Sequence, residues 1–274
     1  MKNIVIKNIS LFLILLLTLT IVVGCSKKRV DSEINLITKE DAYNIYYNTI
    51  KKFVPELMTE PQECDVDIKT RDEVTFLTEH FVRNTTVKIQ SQNAQGKLQY
   101  YLLNKFPEAD KMDFYCIDND KFYNISCELN GKGELKERNS SYIRSFLFPY
   151  LNTPLFKQDA IKSFDSKKNG SDLEIIFVID GSDMEYGYPQ RVMKEINPTP
   201  DNNLDDVKII LNVDKNNIPK TMSTKISMSL FNNNGELYAK KALNMDFTFN
   251  KPDKAEFNLQ NVISQYASDA SSIK

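Results

Sequence analysis

Apolar and polar residues alternate along most of this chain, and the alternation predicts a protein made mainly of β-strands. Cys64, Val66 and Ile68 are separated by polar residues, which is the period of a strand that buries one face. Most gaps between consecutive segments of this kind are too short for crossover helices, so neighbouring strands should pair antiparallel. The further strands predicted in this way lie at 73–82, 85–91, 97–104, 111–117, 121–129, 161–166, 172–180, 206–213, 220–231 and 236–250.

Three other segments repeat their apolar residues at three- and four-residue intervals, which is the period of a helix. The first begins at Thr38, whose hydroxyl can cap it, and its apolar stripe continues to Leu57, with Pro55 kinking or dividing the last turns. The second is a helix capped by Ser140 or Ser141 and stopped by Pro149, which together with the apolar residues after it forms a bulky insert at 141–156. The third is a short C-terminal helix with its stripe at 259–266.

About eleven strands exceed what a flat sheet tolerates, so the sheet should curl strongly. We therefore predict an α+β fold, in which a strongly curved antiparallel sheet, or half-barrel, wraps around a few helices in a single domain at 38–274. A half-barrel exposes an apolar hollow unless something fills it. The insert and the two terminal helices are the segments available to do so.

The start of the chain is organised differently. Two lysines within the first seven residues precede an apolar run at 9–23, and the small residue Gly24 follows. This order is typical of a secretory signal peptide. The run is shorter than the ~20 apolar residues that a transmembrane helix needs.

The four residues that end this segment, Val22–Cys25, resemble the lipobox of bacterial lipoproteins. In that family the cysteine sulfur receives a diacylglyceryl group and the chain is cut before the cysteine. The resemblance implies a signal peptide at 1–24, a lipidated Cys25 and a polar tether at 25–37. It places the protein on the extracytoplasmic face of the cell membrane, held there by lipid.

Composition limits the classes of partner. The chain holds 35 basic and 37 acidic residues, and removing residues 1–24 takes away two lysines and no acids, which leaves a net charge of −4. A mildly acidic chain without a basic patch has no signature of nucleic-acid binding. The absence of tryptophan and the abundance of Lys, Asn and Ile are typical of a low-GC Gram-positive bacterium.

Three cysteines remain after the lipidated one. If Asn119 and Asp120 form the centre of a hairpin turn, Cys116 lies opposite Tyr123 and Cys127 lies opposite Met112. The two sulfurs would then be about 13 Å apart along the strands, which is beyond the ~7 Å between the Cα atoms of a disulfide. The prediction is three free and mostly buried thiols, the third being that of Cys64.

The order of elements over 38–266 resembles the lipoprotein-carrier superfamily, the LolA/LolB/LppX-like fold, and its lipidated clostridial relatives. The hairpin phrase Val213–Lys220 and the late strand Met245–Asn250 add to the resemblance. It implies a curved antiparallel sheet around helices, often with a hydrophobic cavity for acyl chains. Some relatives bind protein partners instead, including spore-envelope lipoproteins that assist cortex-modifying enzymes.

Two functions follow from this resemblance. The first is non-enzymatic binding of an apolar or amphiphilic, lipid-like ligand between the sheet and the helices. The alternative is a protein-binding lipoprotein that scaffolds or activates a cell-envelope or spore-cortex enzyme through the loop at 181–205. The insert can also be read as a plug of the core, which burial alone would stabilise. The candidate lining residues are Phe146, Phe148, Tyr150, Met112, Phe114, Met228 and Phe247.

Residues for catalysis or metal binding are few. His80 is the only histidine, no G-x-S-x-G elbow is present, and no cysteine spacing fits a metal site. A glycosidase could use the abundant carboxylates, but such sites usually carry Trp platforms. Calcium is a minor hypothesis, since acids cluster in the loops around 180 and 205, where solvated charges are the ordinary explanation. We expect no enzyme activity, no cofactor and no metal. The clustered acids are Asp180, Asp183, Asp201, Asp205 and Asp206.

Overall fold

Eleven antiparallel strands pair side by side in one curved sheet that does not close on itself. In the computed structural model the strands follow the order β6-β5-β4-β3-β2-β1-β14-β13-β12-β9-β8, so the first and last strands of the chain meet in the middle. With two helices, this confirms the predicted α+β fold. The structure describes residues 36–53, 63–76, 78–94, 97–118, 121–138, 155–181, 184–186, 203–232, 234–252 and 257–269, within one compact unit, Leu36–Lys274.

Outside the first hairpin, the bounds of the long strands follow the alternation in the sequence. A twelfth strand, β11, pairs with β13, and the short strands β7 and β10 form a separate pair. Among the described residues, no helix has the length and apolarity needed to cross a membrane. The elements are α1 (Lys39–Ile50), β1 (Cys64–Phe76), β2 (His80–Ala94), β3 (Lys97–Phe106), β4 (Lys111–Asp118), β5 (Lys121–Glu128), β6 (Lys136–Arg138), β7 (Leu155–Phe156), β8 (Ile161–Asn169), β9 (Asp172–Ile179), β10 (Met184–Tyr186), β11 (Asn203–Leu204), β12 (Val207–Val213), β13 (Pro219–Phe231), β14 (Leu237–Asn250) and α2 (Leu259–Tyr266).

The first helix starts where the sequence predicted. The hydroxyl of Thr38 accepts a hydrogen bond from the backbone N–H of Asp41 at 3.1 Å, which satisfies one of the open donors at the helix start. Ala42, Tyr46 and Ile50 form its buried stripe. The helix ends at Ile50, and the part of its predicted stripe beyond residue 53 lies outside the described residues.

The first hairpin differs from the prediction. Strand β1 continues without a break to Phe76, and β2 runs without a break from His80, so the chain does not turn near 83–84. The polar residues 69–72 indicated a break between strands. They remain in the strand because the carboxylate of Asp72 meets two cationic side chains, Arg83 on β2 and Lys241 on β14.

The two faces of the sheet carry separate apolar cores. We call the face on which the first helix packs the α1 face, and its core extends across the sheet from β9 to β5. The opposite face at β3–β5 is covered by the second helix, and we call it the α2 face. Both terminal helices were expected to fill one hollow, and the structure places them on opposite sides of the sheet.

The predicted hairpin around residues 119–120 is confirmed. Cys116 lies opposite Tyr123 and Cys127 lies opposite Met112, as the spacing required. Cys64, Cys116 and Cys127 are all free thiols; the first two are buried and the third is partly buried.

The insert at 141–156 is described only at its end. Leu155–Phe156, which follow the predicted helix of the insert, form a short strand, and both residues are buried on the α1 face. The ring of Phe156 stacks on Tyr46 with 5.0 Å between centroids, so this end of the insert packs against the first helix. Most of the loop at 181–205 likewise lies outside the described residues.

Candidate functional site

The α1 face carries the larger apolar core. The first helix and the turn after it contact this core through aromatic rings: Tyr46 of the helix lies 5.9 Å from Phe177 on β9, and Phe53 of the turn lies 5.9 Å from Phe247 on β14. The core side chains on this face are 0–8% exposed. An apolar surface of this extent is the main source of stability in the fold.

At one end of the α1 face the apolar surface reaches solvent. Phe76 is the last residue of β1 and Phe81 is the second residue of β2, and their ring centroids lie 5.9 Å apart in an edge-on arrangement. Phe81 pairs with Val74, which packs on the core, so these rings continue the same face. Their exposed fractions are 39% and 53%. We call Phe76 and Phe81 the aromatic rim.

A charged cluster lies beside the aromatic rim. Asp72 is buried and accepts a hydrogen bond from Arg83 at 3.0 Å, and the ammonium of Lys241 lies 3.1 Å from the same oxygen. Its other oxygen, Oδ1, is buried and has no hydrogen-bond partner in the structure. The register places Asp72 and Lys241 on the α1 face with Leu243 and Met228.

Two further polar atoms on the α1 face are buried without a partner, Oδ1 of Asn104 and Oγ1 of Thr224. A buried polar group without a hydrogen bond costs ~1–3 kcal/mol. Such groups are uncommon in native proteins, and each needs an explanation. Of the three residues, Asp72 lies nearest the end of the sheet where the aromatic rim is found, while Thr224 is level with Thr70 in the middle of β1.

The structure places the predicted lining residues that it describes on two opposite faces of the sheet. Met228 and Phe247 lie on the α1 face, each 1% exposed. Met112 and Phe114 lie on the opposite face, in the core beneath the second helix. The four are therefore not brought together. Residues 112–117 of β4 are all buried, so alternation along this strand could not show which face is which. Phe146, Phe148, Tyr150 and the lipidation residue Cys25 lie outside the described residues.

The α2 face carries a polar network that is satisfied internally. The carboxylate of Asp65 accepts hydrogen bonds from Lys88 at 2.9 Å, Asn250 at 3.0 Å and Gln90. Burial raises the pKa of Asp65, but these donors outweigh it and leave the pKa below its usual range. Because the ammonium of Lys88 also reaches Asp67 at 3.4 Å, the acidic pair is already neutralised in part.

The only histidine lies at the surface on the α2 face. Nδ1 of His80 is 2.9 Å from the hydroxyl of Thr75, and Nε2 is 3.7 Å from the carboxylate of Glu73, beyond hydrogen-bond distance. The histidine side chain is 52% exposed. A nucleophilic hydroxyl needs a base that a third group orients and a site that excludes water. This exposed cross-strand cluster does not provide them.

The thiols are placed for packing and not for reaction. Burial raises the pKa of Cys64 to about 11, although a hydrogen bond with Ser91 at 3.1 Å acts in the opposite direction. Burial also raises the pKa of Cys116 far above its ordinary value. Both are therefore neutral thiols at physiological pH, and the thiolate is the nucleophile.

The acidic residues around positions 180 and 205, proposed above as a minor calcium hypothesis, form ion pairs with one lysine. The ammonium of Lys162 lies 2.9 Å from Asp180 and 2.6 Å from Asp206, while the backbone N–H of Asp205 donates to Ser227. In the described parts of the chain no three His, Cys, Asp or Glu side chains form a group that could hold a metal ion. Asp183 and Asp201 of the calcium hypothesis lie outside those parts.

No protein-family model matches the chain, and no curated protein matches it. Among solved structures, the chain is similar to an outer membrane lipoprotein-sorting protein domain from Vibrio parahaemolyticus, at 12% identity and a TM-score of 0.30, covering 82% of this chain and 99% of that one. It is also similar to a DUF1329 family protein from Desulfovibrio piger, at 8% identity and a TM-score of 0.28, covering 80% and 94%. Likeness of this degree says nothing about what the chain binds.

Proposed function

We propose that this protein is a non-enzymatic lipoprotein that binds the apolar part of an amphiphile on the α1 face of its sheet. The ligand enters over the aromatic rim, and Cys25 holds the protein to the extracytoplasmic side of the membrane. The proposal rests mainly on the aromatic rim. Its two solvent-exposed rings lie on the same face of the β1–β2 pair as the buried core side chains. Exposed apolar side chains that extend a core face are typical of binding surfaces.

The buried, unpartnered oxygen of Asp72 beside the aromatic rim supports a ligand with a polar end. An amphiphile whose hydroxyl or ammonium group reached Asp72 would supply the hydrogen bond that Oδ1 lacks. Its acyl chain would then lie along the apolar side chains of the same face. The proposed lining residues Met228 and Phe247 lie on that face, and Met228 is next to Lys241 across the strand pair.

The test is the binding of a fluorescent fatty acid, cis-parinaric acid, to the purified full-length protein. Replacing both rings, Phe76→Ser with Phe81→Ser, should weaken binding roughly thirtyfold, because each half-exposed ring contributes ~1 kcal/mol of apolar contact. The matched control is Ile218→Ser, since Ile218 is 54% exposed on a turn away from the aromatic rim. Unchanged affinity of the double variant, or no binding by the wild-type protein, contradicts the proposal.

Membrane attachment is tested separately through the predicted lipidation site. Cys25→Ser removes the acceptor sulfur, and we expect the protein to leave the membrane fraction, because two acyl chains supply the stable anchor at ~0.8 kcal/mol per buried CH₂. Cell fractionation followed by immunoblotting measures the distribution. Cys127→Ser, at a partly buried thiol within the folded unit, serves as the control and should remain in the membrane fraction. If both variants stay with the membrane, the anchor is not at Cys25.

A protein partner is the second candidate, and the same rings favour it. Exposed aromatic side chains are also the commonest anchors of protein interfaces, where a few of them contribute most of the binding energy. A partner enzyme of the cell envelope would then dock on the aromatic rim. In that case the double rim variant loses the partner in a pull-down from detergent-solubilised membranes, while the wild-type protein binds no parinaric acid.

A further inference from the structure

A polar groove lies between the first helix and the β12–β13 turn, away from the aromatic rim. It has a volume of about 460 Å³, within the usual range of ligand sites. One wall is a stripe of the first helix and the residues that follow it, and the opposite wall is the turn at 217–219. The lining residues are Ile37, Asp41, Asn44, Ile45, Asn48, Thr49, Lys52, Asn217 and Pro219.

Three carboxamides in this groove are available to a ligand. The side chains of Asn44, Asn48 and Asn217 form no hydrogen bond within the described part of the chain. Each carboxamide offers a donor and an acceptor, which is the pair of groups that a peptide unit needs.

The turn that presents Asn217 is fixed by its own hydrogen bonds. The carboxylate of Asp214 accepts from the backbone N–H groups of Asn216 at 2.8 Å and Ile218 at 2.9 Å. Asn217 adopts a positive φ of 60°, which asparagine tolerates better than most residues. The groove is therefore walled by a regular helix on one side and a hydrogen-bonded turn on the other.

The spacing of the helical asparagines fits an extended peptide. Asn44 and Asn48 are four residues apart, so their Cβ atoms are about 6 Å apart along one side of the helix. Peptide units on the same side of an extended chain repeat every two residues, or about 6.6 Å. Two carboxamides in this arrangement can bind two successive outward-facing peptide units.

Opposite charges mark the two ends of the groove. Asp41 lies at the start of the helix and Lys52 just after its end. Eleven residues of helical rise separate them by roughly 16 Å, which is the length of about five residues of extended chain. The ends therefore select a basic residue over Asp41 and an acidic residue over Lys52.

We propose that this groove binds a peptide of about five residues in an extended conformation, read through its backbone by Asn44 and Asn48 and oriented by Asp41 and Lys52. A neutral oligosaccharide could also hydrogen-bond with the carboxamides, but it would form no ion pair with Asp41 or Lys52 at the ends of the groove. The site is separate from the aromatic rim and does not depend on the function proposed above.

The probe is a capped pentapeptide, acetyl-Lys-Ala-Ala-Ala-Glu-amide, titrated against the full-length protein in detergent by saturation-transfer NMR. A version with N-methylated backbone amides tests backbone recognition, and chitotriose tests the sugar alternative. In the protein, Asn44→Ala with Asn48→Ala removes both helical carboxamides. The helix should be retained because alanine has the higher helix propensity. Asn234→Ala, an exposed asparagine in the turn before β14, is the matched control.

We expect the double variant to bind the peptide at least roughly tenfold more weakly than the wild-type protein, since several neutral hydrogen bonds are lost. The control variant should bind normally, and the N-methylated peptide should not compete. Equal binding of the methylated peptide, equal binding by the double variant, or no binding by the wild-type protein overturns the proposal. Binding of chitotriose that is lost in the double variant assigns the groove to a sugar and overturns it as well.

Discussion

Phe247→Ala is expected to lower the free energy of unfolding by about 4 kcal/mol, in the range found for Phe→Ala in protein cores. Phe247 is 1% exposed and lies on β14, which pairs with both β1 and β13 at the centre of the sheet. Its ring lies 5.9 Å from Phe53 beyond the first helix and 6.4 Å from Phe249. Because β14 is held on both sides, the surrounding strands have little freedom to collapse into the cavity.

Urea denaturation followed by circular dichroism measures this loss as a shift of the midpoint at constant slope. Phe81→Ala is the matched control, since the ring of Phe81 is 53% exposed and its loss should cost less than about 1 kcal/mol. Equal losses for the two variants would mean that Phe247 is not in the main core. The comparison also separates the two roles proposed for aromatic residues on the α1 face, packing at the centre and binding at the aromatic rim.

Asp72→Ala should destabilise the protein by about 3–5 kcal/mol, because it removes the carboxylate that compensates a buried ammonium. The side chain of Lys241 is only 9% exposed, so water can replace little of the ion pair that Asp72 supplies. Arg83 is 57% exposed and can turn toward water. The loss is therefore expected to come mainly from the lysine.

Two further variants test that assignment. The apolar pair Asp72→Leu with Lys241→Met should lose far less stability than Asp72→Ala, because replacing both members of a buried pair by apolar groups is often neutral. Arg83→Met should cost less than about 1 kcal/mol, as is usual for exposed ion pairs. If Arg83→Met costs as much as Asp72→Ala, the exposed arginine and not the lysine sets the stability of the cluster.

The same cluster shows why the first hairpin could not be placed from the sequence. A run of polar residues in the middle of a strand has the residue composition that is typical of a turn, and the strand propensity of Asp is low. Asp72 remains in β1 because Lys241, on the last strand of the chain, supplies the opposite charge. A partner so distant in sequence leaves no mark on the local pattern around residue 72.

The candidate site was predictable only in part. Met228 and Phe247 alternate with polar neighbours, and the pattern placed them on a buried face. Met112 and Phe114 belong to a strand buried on both faces, so no period could assign them to one side. The polar groove has no sequence signal at all, because Asn217 reaches the first helix only through the fold of the sheet.

The sequence by itself determined the local features: most of the long strands, the cap of the first helix, the register of the β4–β5 hairpin and the free thiols. These features depend on the period of apolar residues and on short-range backbone geometry, and residues close together in the sequence determine both. The tertiary structure alone decided which core each strand joins, which face each terminal helix covers, and which polar residues lie inside the sheet. Those outcomes depend on burial and charge compensation between segments far apart in the chain, and both arise only when the segments meet.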